Sequence, residues 1–263
     1  MSALVLAFDT ATDRCALALG RWRATTLETA AISDFEAPRA ALGRLLPAVR
    51  DLLLAEGVTP SDIAEVVVGR GPGSFTGVRI GVATAKGLAH GLGVPLYGAG
   101  TLDAIAWACA MRGETGLLGV VGDAMRGEVY PALFRLAEGK VSRLSEDRVA
   151  HPSDVVDEWA TLDEHLLLAG AGLHKHHTVF ASLGQQRMRV LDDAPWLPGG
   201  AGLLAAYADA RARGAAGDGS PHNLLPVYTR LSDAEENERK GEDDVPRVPP
   251  SGVAERERRG EQS

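Results

Sequence analysis

Thirteen residues, Gly69–Gly81, read GRGPGSFTGVRIG and hold five glycines, a serine, a threonine and two arginines between a β-branched run and a helical pattern. Such a mixture can cradle phosphate, and two known loops can be tested on it. A Walker loop ends in Gly-Lys-Ser/Thr, but here Gly77 is followed by Val78 and Arg79. A dinucleotide fingerprint needs Gly-x-Gly-x-x-Gly; Gly71 and Gly73 fit, while the third position is Thr76 and its glycine comes one residue late. Both patterns fail. Two readings remain open. Gly71 and Gly73 can turn with positive φ, Ser74 or Thr76 can cap the following helix, and Gly77, Gly81 and Ala85 form a smooth stripe for close packing. Alternatively the helix start, with Gly71, Gly73, Ser74 and Thr76 around it, can hold an anion.

Few other residues offer chemistry. Asp9 ends an apolar run and could orient a magnesium–nucleotide complex, but the turn DTATDRC lacks glycines, so an Asx-turn is the reading. His174–His177 (HKHH) has the donors for a metal but no Cys or acidic partner nearby, and reads as an exposed polar loop. His90 reads as a lone structural histidine. Asp123, Arg126 and Glu128 surround a turn in GDAMRGEVY, either as a site or as a hairpin ion pair. There is no GxSxG, CxxC or HExxH.

The elements that position these residues follow from periodicity. ALVLAF and CALALG read as a strand pair, and ATTLETAA adds a third strand. Leu42, Leu45, Leu46, Val49, Leu52 and Leu53 recur at helical spacing across residues 39–56, with Pro47 expected to kink the helix or remove one bond. The strand Ile63–Val68 leads through the glycine loop into a helix over 76–92, then a strand VPLYG and a helix over 101–112. A second strand-rich set starts at Leu117, followed by helices over SDVVDEWA and residues 199–214 around the strand HLLLAG. The pattern is an α/β layered fold in two partly echoing halves.

The chain has 263 residues, 45% hydrophobic and 24% charged, with a net charge of −8. That balance argues against a general grip on nucleic acid while leaving room for a local basic patch. Cys15 and Cys109 lack partners at metal spacing and read as buried thiols in a reducing compartment. No run approaches the roughly 20 apolar residues of a membrane span. Half of residues 232–263 are charged, too polar to repay ordering, so a disordered tail is expected there.

GRGPGSFTGVRIGVATAKGLA, with LAFDTATDRCALAL before it and DAMRGEVY after, resembles the TsaB family of bacterial threonylcarbamoyladenosine biosynthesis proteins. The likeness covers most of residues 3–230, including LLPAVRDLL and LLPVYTR. It implies two actin-like (ASKHA) lobes, each a mixed β-sheet with packed helices, over residues 1–103 and 104–231, with the last helix packing back on the first lobe. It implies a non-catalytic scaffold or activator subunit that dimerises with the catalytic paralogue TsaD. That complex places threonylcarbamoyl on the adenosine beside the anticodon of ANN-decoding tRNAs. The partners it implies are TsaD, the ATPase subunit TsaE, a second copy when alone, and tRNA only through the complex, in the cytoplasm. The paralogue's metal-binding HxxxH pair falls here on Thr101 and Ile105, so no metal, cofactor or catalytic residue is expected, the subunit interface being the one place left for a nucleotide. First-lobe helices carry the dimer contact in this family, which assigns Leu42, Leu45, Leu46, Val49, Gly77, Val78, Gly81 and Ala85 to the interface. The competing readings are a metal-dependent enzyme and an ATP-dependent phosphotransferase, for which Ala169–Lys175 (AGAGLHK) is the candidate adenosine loop.

Overall fold

The computed structural model describes residues 3–38, 40–191 and 196–229. The expected tail, 232–263, lies outside them. The run LVLAFD forms β1 (Leu4–Asp9), buried throughout. Leu6 and Phe8 face one apolar cluster, while Val5 and Ala7 face another. A strand covered on both sides reads as a continuous apolar run, which is why no alternation shows.

Around it lie β2 (Arg14–Arg23), β3 (Thr26–Ile32) and the short β4 (Phe35–Glu36). Helix α1 (Ala41–Ala55) runs through Pro47 without ending. It is followed by β5 (Ile63–Gly69), α2 (Phe75–Leu92) and β6 (Leu96–Ala99). The first sheet has the order β3-β2-β1-β5-β6, antiparallel at the β1–β2–β3 meander and parallel from β1 through β5 to β6.

Helix α3 (Thr101–Met111) crosses to a second sheet, formed by β7 (Gly116–Asp123), β8 (Val129–Ala137) and β9 (Lys140–Arg143). It is completed after α4 (Pro152–Trp159) by β10 (Leu166–Ala169), α5 (Gly172–Ala181) and β11 (Met188–Val190), in the order β11-β10-β7-β8-β9. The closing helix α6 (Gly200–Ala212) returns to the first sheet, where Leu203, Leu204 and Tyr207 pack on Val5, Ala7 and Val67. The α/β class with two mixed sheets is as expected.

One buried polar group anchors that return. Glu65 on β5 accepts hydrogen bonds from the Tyr207 hydroxyl at 2.7 Å and the Trp22 indole at 3.1 Å, and pairs with Arg211 at 3.0 Å. A buried carboxylate is tolerable only when satisfied in this way. Burial, then the Glu65 carboxylate beside it, drive the Tyr207 phenol far above its ordinary range. Cys15 and Cys109 are both free and buried, and burial pushes each thiol up to about 12.

The elements that differ from expectation are α5, β9, β11 and the two-residue β4. The HKHH segment lies inside α5, because Leu173 and Phe180, two turns apart, bury that helix against the second sheet. Strands β9 and β11 are four and three residues long, too short for a period to register.

Candidate functional site

The glycine loop is filled by the chain itself. A Cβ on Gly69 would lie 2.0 Å from Asp9 Oδ2, one on Gly73 2.4 Å from the Ala11 carbonyl, and one on Gly77 2.1 Å from the Thr10 carbonyl. On Gly81 it would lie 2.5 Å from Thr10 Oγ1. These glycines therefore admit the β1–β2 turn against the start of α2. Hydrogen bonds close the contact. The Ser74 amide donates to the Ala11 carbonyl at 2.7 Å, and Thr10 Oγ1 donates to the Gly77 carbonyl at 2.7 Å. Ser74 caps α2 by accepting from the Gly77 amide at 3.3 Å, whereas Thr76 is exposed. Gly71 takes a φ of +97°. Its amide donates to Thr101 Oγ1 at 3.1 Å, and the Thr101 amide returns a bond to its carbonyl at 2.9 Å. The geometry is that of packing, with much of the loop's donor capacity spent inside the protein.

Asp9 sits at the bottom of this contact, fully buried. Its carboxylate accepts from the Ala11 amide at 2.7 Å, the expected Asx-turn, and from Thr101 Oγ1 at 2.7 Å. Burial raises its pKa, and the bonds from Thr101 and Ala11 oppose that. Thr101 is one of the two positions onto which the family's HxxxH pair falls. The other, Ile105, is buried in the apolar cluster under the second sheet. One position donates to an internal carboxylate and the other has no donor atom, so this pair does not fit a metal. Among the described residues no three His, Cys, Asp or Glu side chains converge on a metal position.

The stripe assigned to a partner is corrected by the same contacts. Gly77, Val78, Gly81 and Ala85 are buried inside the chain, and Gly77 and Gly81 face Thr10. On α1, Leu45 and Val49 also turn inward. What the two helices leave outside is Leu42, 73% exposed, Leu46, 49% exposed, and Leu54 on α1. On α2, a Cβ at Gly87 or Gly91 would meet nothing within 4 Å.

In the second half, Asp123 accepts from the Met125 amide at 3.0 Å and pairs with Lys175. Met125, Arg126 and Gly127 carry φ of 63°, 51° and 82° through the turn that leads to Glu128. The AGAGLHK loop is packed on β7, since a Cβ at Gly170 would lie 2.4 Å from the Val121 carbonyl. His174 stacks on Trp196 with ring centres 4.2 Å apart.

A family model described as "TsaD: tRNA N6-adenosine threonylcarbamoyltransferase" matches residues 34–184. The tRNA threonylcarbamoyladenosine biosynthesis protein TsaB of Escherichia coli (strain K12) is 37% identical over 192 residues, covering 72% of this chain and 78% of that protein. The TsaB protein of Bacillus subtilis (strain 168) is 30% identical, covering 73% of this chain and 80% of its own length. The chain belongs to the TsaB family. Among solved structures, YeaZ from Pseudomonas aeruginosa superimposes with a TM-score of 0.70 at 30% identity, covering 86% of this chain and 99% of that one.

Within this TsaB-family chain, sequence reasoning missed the strap formed by residues 215–229. The Gly219 carbonyl accepts from Leu96 on β6, the Val227 amide donates to the Arg70 carbonyl, and Arg70 Nε donates to the Leu225 carbonyl. Tyr130 of the second sheet also reaches the glycine loop, its hydroxyl 3.4 Å from the Gly73 carbonyl. The one available signal was the LLPVYTR motif, whose Leu225 and Val227 fasten the strap to Arg70 of the glycine loop.

Proposed function

We propose that this chain is the non-catalytic subunit of a tRNA threonylcarbamoyl transfer complex, paired with the catalytic paralogue TsaD. The observation that carries the reading is the seal at Asp9. The position where the paralogue's first metal ligand falls is occupied by Thr101, which is bonded to Asp9 and Gly71, and the second by the apolar Ile105. A chain that has closed its own cleft with protein groups is suited to support a partner's chemistry. The contact with that partner runs over the outer leucines of α1, Leu42 and Leu46, and the open Gly87 side of α2. The ATPase subunit TsaE is a further partner, a second copy substitutes for the paralogue when the chain is alone, and the compartment is the cytoplasm. Among the described residues no helix is long and apolar enough to cross a membrane.

Reconstituted transfer of threonylcarbamoyl to tRNA tests the reading. Activity of the purified paralogue is expected to depend on this chain, which shows none alone. Transfer that is indifferent to its presence sinks the proposal. Leu42→Asp with Leu46→Asp is expected to abolish co-elution with the paralogue while the protein stays folded, because both leucines lie outside the buried core cluster.

A further inference from the structure

Between Glu65 and Asp103 the chain carries no carboxylate side chain, although it has 35 Asp and Glu in all. The cations of that interval gather on one surface. On α2, Phe75, Arg79, Lys86 and His90 follow one another at spacings of four, seven and four residues, which puts them on a single stripe about 22 Å long. Arg70 precedes them in the glycine loop. The strap runs beside this stripe and is fastened to it: Arg79 Nε donates to the Tyr228 hydroxyl at 3.1 Å, and Lys86 Nζ reaches the His222 carbonyl at 3.5 Å. The strap's Asp218 is already engaged by the Ser220 amide and the Asn223 side chain.

Two aromatic rings stand among these cations. Phe75 is 38% exposed and Tyr228 48% exposed, their centres 5.3 Å apart, and the Arg79 guanidinium lies 4.1 Å from the Phe75 ring centre. The rings pack on each other and on Arg79, yet both stay exposed beside the cations. Cations in a row with aromatic platforms at one end form the chemistry of single-stranded nucleic-acid binding, with phosphates on the cations and bases stacked on rings. An acidic protein surface would use the cations but has no need of the rings.

We infer that the strip formed by Arg70, Phe75, Arg79, Lys86, His90 and Tyr228 binds a single-stranded RNA segment. The inference rests on the reading that the chain serves a tRNA-modifying complex, and it assigns to this subunit a direct contact with the RNA. Arg79 and Lys86 neutralise phosphates, and a base stacks on Phe75 and Tyr228. The net charge of −8 confines the footprint to this strip.

Fluorescence anisotropy of a labelled RNA hairpin with a single-stranded loop, titrated with the full chain between 50 and 200 mM salt, tests the inference. The double variant Arg79→Gln/Lys86→Gln is expected to flatten the slope of log affinity against log salt by about 1.4, at about 0.7 per lost single-strand phosphate contact. Tyr228→Ala is expected to weaken binding about tenfold and Tyr228→Phe to leave it near wild type, because a stacked base needs the ring and not the hydroxyl. A blunt RNA duplex of equal length is expected to bind more weakly than the hairpin. Equal salt slopes for wild type and double variant overturn the proposal, as does the absence of binding by wild type. So does a double variant that loses co-elution with the paralogue while keeping its RNA affinity, which would assign the strip to the protein partner. Binding is read here without transfer, so loss of the subunit reading and loss of this one are separable.

Discussion

Asp9 and Asp123 end the central strands of the two sheets, and each accepts a hydrogen bond from the amide two residues on, at 2.7 Å from Ala11 and 3.0 Å from Met125. Beyond that shared turn they part. Asp9 is covered by Thr101 and the glycine loop, with Gly69, Gly73, Gly77 and Gly81 each giving up a side chain so that residues 9–11 fit. Asp123 stays at the surface beside Lys175, and its turn bends through Met125 and Arg126 at positive φ. The same local turn thus serves opposite ends. Where the following strand–helix junction is stripped to glycine, the carboxylate is locked into the core. In the second half the glycines of that junction, Gly170 and Gly172, close on Val121 and not on the turn, and the carboxylate stays partly exposed beside a neighbouring cation.

The largest test of this asymmetry is steric. Gly77→Ala drives a Cβ to within 2.1 Å of the Thr10 carbonyl, which is backbone and cannot turn aside. A loss of about 3 kcal/mol or more is expected. Gly172→Ala in the second half meets Val121 Cγ1 at 2.8 Å, a side chain, and the Gly122 carbonyl at 2.9 Å, and is expected to cost about 1–2 kcal/mol. Urea midpoints measure both, and equal losses would erase the contrast. A smaller gap separates the partners of the two carboxylates. Thr101→Val leaves buried Asp9 and the Gly71 amide each short of a bond, at about 2 kcal/mol. Lys175→Met removes one exposed ion pair, at under 1 kcal/mol.

The pH dependence gives the finest discrimination. Because burial raises Asp9, the folded chain holds its proton to higher pH than the unfolded chain does. Its contribution to stability is therefore greatest in acid and falls as pH rises from the ordinary carboxylate range, near 3.8, through the raised value. Replacing Asp9 with Asn should flatten the urea midpoint against pH above 4. An unchanged slope in the Asp9 variant would mean that the carboxylate is not held in the way its burial requires.

Much of this was legible in the sequence. The apolar runs marked β1, β5, β7 and β10, and the Asx-turn at Asp9 could be read because its donor lies only two residues away. The glycine stripe on α2 was legible as packing, but small residues accept any backbone, so its occupant was not. It proved to be the chain's own Thr10. The bond from Thr101 to Asp9 spans 92 positions, and no local pattern pairs them; the resemblance drew attention to Thr101 for what it lacks, while the structure shows what it holds. HKHH looked like a loop because four polar residues hide a helix whose burial depends on Leu173 and Phe180.

The strap has a further consequence for how the molecule comes into being. Arg70 and Leu225 are joined across 155 positions, and the outer edge of β6 waits for Gly219 of the same strap to leave the ribosome. Until then β6 lacks the carbonyl of Gly219, and Arg70 lacks the amide of Val227. Closure over such a distance makes for slow folding, and an edge left bare in the meantime is a template for association with other nascent chains. A gene truncated just after α6 would leave that edge bare for good, with aggregation rather than a smaller subunit as its product.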